Sequence, residues 1–176
     1  MTRLRAVSFT AARHLDPAAA GGVVTSVLTV HVPRVQRYVT GACTGGDAFI
    51  GRWLHANRPE AEHVVVVPAD RGRTDPWWRE VAGRPVTVVE MPPGTTYADR
   101  NARLVAEADA VFAFPAYPED DPRSLRSGTW QAVRMARKAG NFSQWHCVKP
   151  PYRGLIEARP RDLLGEEDLP DDPECE

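Results

Sequence analysis

The sequence is poor in cysteine. Its three cysteines, Cys43, Cys147 and Cys175, are odd in number and form no C-x-x-C pair. A disulfide framework and a structural zinc site are therefore disfavoured. An excess of either charge is also lacking. Twenty-two basic and 23 acidic side chains leave a formal net charge of −1, so no field of the whole molecule attracts nucleic acid. No apolar run approaches the roughly 20 residues that a membrane-spanning helix needs. The opening Met1-Thr2-Arg3-Leu4-Arg5 has neither the apolar core nor the cleavage pattern of a signal peptide, and a cytoplasmic location is the expectation. His14, His31, His55, His63 and His146 show no H-E-x-x-H or comparable ligand spacing. No obligatory cofactor is expected; magnesium would arrive only with a phosphorylated ligand.

What is present suits a single globular domain of 176 residues, 43% hydrophobic and 26% charged. Apolar β-branched runs alternate with amphipathic segments. Strands are predicted over Leu4 to Phe9, Val35 to Thr40, His63 to Val67, Val86 to Met91, Ala110 to Phe114 and Trp145 to Val148. Asp16-Pro17 opens a first helix, with Val23, Val27 and Val30 sharing a face. A second helix reaches Asn57. Thr95 or Thr96 caps a third carrying Leu104, Val105 and Ala108, and Ser127 caps a fourth that Gly140 ends. Such alternation predicts an α/β fold: a Rossmann-like, mostly parallel sheet of about five to six strands with helices on both faces. The domain is expected to span residues 1–152. Residues 153–176, rich in Asp, Glu, Arg and Pro, read as a flexible tail.

One loop stands out. Gly41-Ala42-Cys43-Thr44-Gly45-Gly46-Asp47 joins the second strand to the second helix. Glycines permit tight turns and close approach, and a helix N-terminus offers free N–H groups to an anion. Two familiar phosphate loops do not match. Gly41 and Gly46 have P-loop spacing, but Asp47 stands where the lysine belongs. Cys43 occupies the second glycine position of the dinucleotide fingerprint. Cys43 itself reads as a small residue in a crowded turn, because no histidine can be placed beside it to activate a thiolate.

Ligands of such sheets bind beyond the carboxyl ends of the strands. Four features fall there: the Gly41–Asp47 loop, the polar stretch from Asp70 to Thr74, Asp99-Arg100-Asn101, and Ser127-Gly128-Thr129. Two small-residue helix starts with a guanidinium between them suit a phosphate joined to a sugar.

Thr40-Gly41-Ala42 through Asp47, Arg100-Asn101, the run Ala108 to Phe114, and Ser127-Gly128-Thr129 together resemble the SLOG superfamily. That group contains Rossmann-like domains related to DNA-processing protein A and to the Lonely-guy cytokinin-activating enzymes. The resemblance is strongest to its small bacterial members and covers about Leu4 to Val148. It implies a nucleotide or nucleotide-derived ligand held by Gly41, Ala42, Thr44, Gly45, Gly46, Asp47, Arg100, Asn101, Ser127, Gly128 and Thr129. It also implies a possible homodimer formed through helices. One departure bears on catalysis. Lonely-guy enzymes carry P-G-G-x-G-T-x-x-E with a catalytic glutamate. Here Leu125-Arg126-Ser127 replaces the leading residues and Ala132 takes the glutamate's place.

Four readings follow: a module that senses or sequesters a nucleotide derivative; an N-glycoside hydrolase or transferase with Asp47 as its acid, base or nucleophile; a nucleic-acid binder; and a scaffold whose loops are only turns. The missing glutamate favours binding over hydrolysis. Neutral charge counts against nucleic acid. A bare scaffold leaves three permissive helix starts at strand ends to coincidence. The Glu119-Asp120-Asp121 cluster reads as a solvated loop.

Overall fold

The computed structural model describes residues 4–15, 17–83, 85–148 and 154–156. Its strands are β1 (Ala6–Ala11), β2 (Arg37–Gly41), β3 (Glu62–Val67), β4 (Thr87–Glu90), β5 (Ala110–Phe114), β6 (Phe142–His146) and β7 (Gly154–Ile156). The helices are α1 (Pro17–Val30), α2 (Gly46–Asn57), α3 (Tyr97–Ala106) and α4 (Gly128–Ala139), with short 3-10 turns at Trp77–Arg79 and Pro122–Arg126. The sheet order is β4-β3-β2-β1-β5-β6-β7. Strands β1 to β6 run parallel and β7 is antiparallel to β6. This is an α/β, Rossmann-like arrangement.

Period-two burial places two helices on each face. Val7, Phe9, Tyr38, Ala110, Phe112 and Phe114 point to one side, where they pack with Val24, Val27 and Leu28 of α1 and Ile50 and Leu54 of α2. On the other side Val39, Val64 and Val66 meet Leu104 of α3, while Val111 meets Val105 and Ala132 and Ala136 of α4. Right-handed crossovers give this result. Travelling from β1 to β3 carries α1 and α2 over one face, and the return from β4 to β5 carries α3 over the other.

Local capping follows the sequence. Thr96 and Asp99 form a reciprocal capping box at α3. Ser127 caps α4, accepting from the Trp130 amide, and Gly140 closes it with a φ of 75°. Some expectations shift. The buried stripe of α1 is Val24, Val27 and Leu28, at i, i+3, i+4 spacing; Val30 is exposed and Val23 only half-buried. Strand β6 begins three residues earlier than predicted. Register decides this, since Phe142 pairs with Ala110 and Trp145 with Ala113. The sheet also gains β7 beyond the expected domain end at residue 152, with Gly154 opposite His146. The cap predicted at Asp16 and the tail residues 157–176 lie outside the described residues.

At the end of β6 the His146 ring stacks on Phe114 and on His31, with centroids 6.3 and 5.8 Å away. Gln144 Nε2 donates to His146 Nε2 at 2.8 Å, so that ring nitrogen acts as an acceptor. Burial, and then the neighbouring His31, push the His146 pKa down to about 4. Below an ordinary histidine pKa of about 6.5 the unfolded chain binds a proton that the folded chain refuses. Stability is therefore fully present above that pH and falls as pH drops toward the folded value. His146→Gln is expected to flatten this slope: melting temperature should fall less between neutral and mildly acidic pH than in the wild type. Equal slopes in the two proteins would contradict this account.

Candidate functional site

Strand order reverses between β1 and β5, because successive crossovers leave β1 in opposite directions. A crevice forms at the carboxyl ends there. It is a cavity of about 630 Å³. One wall consists of Thr10 to His14, Cys43, Asp47, Tyr97, Arg100 and Asn101. The other runs from Ala116 and Tyr117 through Arg123, Leu125 and Arg126 to Ser127, Gly128, Thr129, Gln131 and Arg134.

At its base lies an ion pair. Arg100 NH2 donates to Asp47 Oδ2, and the side chains are 4% and 3% exposed. The other Asp47 oxygen accepts from the Ala11 amide at 2.9 Å. Arg100 NH1 donates to Asn101 Oδ1 at 2.9 Å, and Asn101 Nδ2 donates to Gly128 O and Gln131 Oε1 at 3.1 Å each. These bonds connect α2, β1, α3 and α4. Burial alone would lower the Arg100 pKa; the adjacent Asp47 carboxylate outweighs it and holds the pKa above its usual value. The nearby acids Asp99 and Glu90 are engaged elsewhere: Asp99 caps α3 and Glu90 pairs with Arg71.

The structure gives the glycines of the loop a packing role. Gly41, Ala42, Thr44, Gly45 and Gly46 do not line the cavity. A Cβ at Gly41 would overlap the Arg100 guanidinium and the Asp47 carboxylate. Gly45 has a φ of 81°, and a Cβ there would overlap the Arg13 carbonyl. The Thr44 and Gly46 amides are already bonded to the carbonyls of Arg73 and Ala12. Asp47 stands in the first turn of α2, where it complements the helix dipole from within. The loop thus houses an internal anion; Gly41 makes room for the ion pair, and Gly45 and Gly46 make room for the chain from Ala11 to Arg13. The Asp70–Thr74 stretch is likewise a brace: Thr74 bridges Cys43, and the Asp75 amide donates to Ala42 O at 2.8 Å.

The other predicted residues do converge. Asp47, Arg100, Asn101, Ser127, Gly128 and Thr129 line one cavity. In the first turn of α4 the Trp130 amide is taken by Ser127 Oγ, which leaves the Gly128 and Thr129 N–H groups without helical acceptors. Sequence reasoning did not assign Arg13, Tyr97, Tyr117, Arg126 or Arg134 to the site. Arg13, Arg126 and Arg134 have no acidic partner among the described residues, whereas Arg123 is held by Asp121 and stacks on the Tyr117 ring at 3.6 Å. Arg13 lies over the Tyr97 ring at 5.8 Å, and its Nε is buried without a partner. Arg100 Nε and the Tyr97 hydroxyl are also buried and unpartnered. A spacing signal existed for Arg134: with Ser127 and Gln131 it follows the i, i+4, i+7 pattern of one helix face.

Carboxylates and thiols here are constrained. Glu119 pairs with Arg137, and Arg123 holds the Asp121 carboxyl down at about 2. Ala132 is buried between Val105, Val111 and Ala136. Burial, with help from Asp47, pushes the Cys43 thiol up to about 11, so it stays protonated at neutral pH. Among the described residues no three His, Cys, Asp or Glu side chains gather as a metal site, and no helix is long and apolar enough to cross a membrane.

Fold and crevice define the chain as an α/β protein with a polar cleft at the switch point of its sheet. No protein-family model matches the chain, and no curated protein matches it.

Two stability predictions follow from this geometry. Asp47→Ala leaves a buried guanidinium unpaired and should cost about 3–5 kcal/mol in urea unfolding. A loss under about 1 kcal/mol, the range of an exposed pair, would show that the ion pair is dispensable. Gly45→Ala should lower the melting temperature of the empty protein, because it strains the backbone and crowds Arg13; an unchanged value would show that the loop tolerates a side chain.

Proposed function

We propose that the protein binds a nucleotide or nucleotide-derived ligand in the cleft between the carboxyl ends of β1 and β5, as a sensing or sequestering module. One observation carries this reading. Three guanidiniums without acidic partners among the described residues, Arg13, Arg126 and Arg134, line the cavity that the first turn of α4 also lines, in a chain whose net charge is −1. Guanidiniums and helix-start amides recognise phosphate. Tyr97 and Tyr117 supply aromatic faces of the kind on which bases stack. Gln131, whose Oε1 is taken by Asn101, keeps its amide nitrogen for a sugar. The SLOG resemblance supports the same ligand class through Arg100-Asn101 and Gly128-Thr129.

The alternative is hydrolysis of an N-glycosidic bond with Asp47 as the reacting carboxylate. Among the described residues Asp47 is the one carboxylate in the cavity wall. Both of its oxygens are engaged, by the Ala11 amide and by Arg100, which suits a structural anchor better than a proton carrier. Ala132 offers no acid in its place.

Native mass spectrometry of protein purified from cells should reveal a retained nucleotide-like ligand. Calorimetry with common nucleotides should detect binding, and Arg13→Gln should weaken it by about 1.5–3 kcal/mol, the range for hydrogen bonds to charged groups. Unchanged affinity in that variant would place the site elsewhere. Release of a free base from a nucleoside monophosphate, abolished by Asp47→Asn in a folded variant, would establish the hydrolase reading instead.

A further inference from the structure

The cleft contains more positive charge than a single phosphate can match. Among the described residues five guanidiniums line it, those of Arg13, Arg100, Arg123, Arg126 and Arg134, against one carboxylate, Asp47. Asp47 is occupied by Arg100, and Asp121 compensates Arg123 from outside the cavity. Arg13, Arg126 and Arg134 remain uncompensated among the described residues. They also stand on different walls. Arg13 follows β1 and lies over Tyr97 of α3. Arg126 ends the 3-10 turn before α4, and Arg134 lies on α4 itself.

A phosphate monoester carries a charge of about −1.5 to −2 at neutral pH, and a diphosphate adds roughly one more ionised oxygen. Three guanidiniums facing a monoester would leave at least one charge unmatched by the ligand. A diphosphate balances them and lets both walls be engaged at once, one phosphate toward Arg13 and the other toward the Arg126–Arg134 side. The unpartnered donors fit the same demand: Arg13 Nε, Arg100 Nε and the Tyr97 hydroxyl are buried with no acceptor, and the Gly128 and Thr129 amides add two more N–H groups. A diphosphate brings more acceptor oxygens than a monoester to this donor-rich cavity.

We propose that the ligand of this cleft is a nucleotide bearing a diphosphate, bound across both walls by Arg13, Arg126 and Arg134. The proposal rests on the nucleotide reading above and narrows it to a ligand class. Arg126 and Arg134 are exposed, so they can be replaced without disturbing the core.

The test is calorimetry on the full chain near neutral pH. The probes are inorganic phosphate, pyrophosphate, and the mono- and diphosphates of adenosine, guanosine, cytidine and uridine. For at least one base the diphosphate should bind about tenfold or more tightly than its monophosphate, a gap of about 1.4 kcal/mol. Pyrophosphate should compete for the site where equal phosphate does not. Arg126→Gln and Arg134→Gln, with melting temperatures confirming the fold, should each cost more affinity for the diphosphate than for its monophosphate and so shrink that gap. Mono- and diphosphates binding within about threefold of each other, under about 0.7 kcal/mol, would overturn the diphosphate assignment and leave the nucleotide reading in place. Variants that both keep the full gap would overturn the assignment of Arg126 and Arg134. Failure of every nucleotide to bind the wild type would overturn both readings together.

Discussion

The Asp47–Arg100 pair is the constraint on which the rest of the site depends. Both charges are almost wholly removed from water, and such burial is costly unless the pair is well bonded on all sides. The surrounding bonds supply that. Asp47 takes the Ala11 amide, Arg100 gives a second nitrogen to Asn101, and Asn101 reaches the first turn of α4. One chain of polar contacts therefore runs from α2 across the end of β1 to α3 and on to α4. These are the elements that wall the cleft. The glycine at the end of β2 belongs to the same arrangement, because any side chain at Gly41 would displace the pair.

Topology explains why a cleft exists at that spot. Crossovers leave β1 toward β2 on one side of the sheet and return to β5 on the other, so no connection covers the space between their carboxyl ends. The loops that border this space bring charge of one sign. Two acidic side chains nearby are engaged by arginines, Glu119 by Arg137 and Asp121 by Arg123. The result is a local cationic cleft on a molecule that is nearly neutral overall. Low-dielectric walls concentrate such a field, so the net charge understates what the site can attract.

Much of the fold was legible in the sequence. Ala110 to Phe114 was read with its observed bounds, because five apolar residues between polar turns fit only a buried strand. Ser127 and Gly140 marked the ends of α4 through a side-chain cap and a left-handed glycine, which are local chemistry. Errors arose where tertiary context overrode local signal. Trp145 to Val148 carries the stronger apolar pattern, yet pairing with β5 starts the strand at Phe142. Val23 and Val30 have helical spacing on paper, but the face that meets the sheet is set by Val24, Val27 and Leu28.

The sequence by itself determined the α/β alternation, the caps, and the set of polar residues at strand ends, because periodicity and capping act within a few residues. Only the tertiary structure decided what those polar residues do. Asp47 and Arg100 stand 53 positions apart, and nothing local shows that they neutralise each other. Nor does a glycine reveal whether its missing side chain makes room for a ligand or for a neighbouring guanidinium. At Gly41 it is the guanidinium. The cationic character of the cleft is likewise a property of spatial pairing: arginines spread from Arg13 to Arg134 count as uncompensated only once the fold has shown which carboxylates reach them.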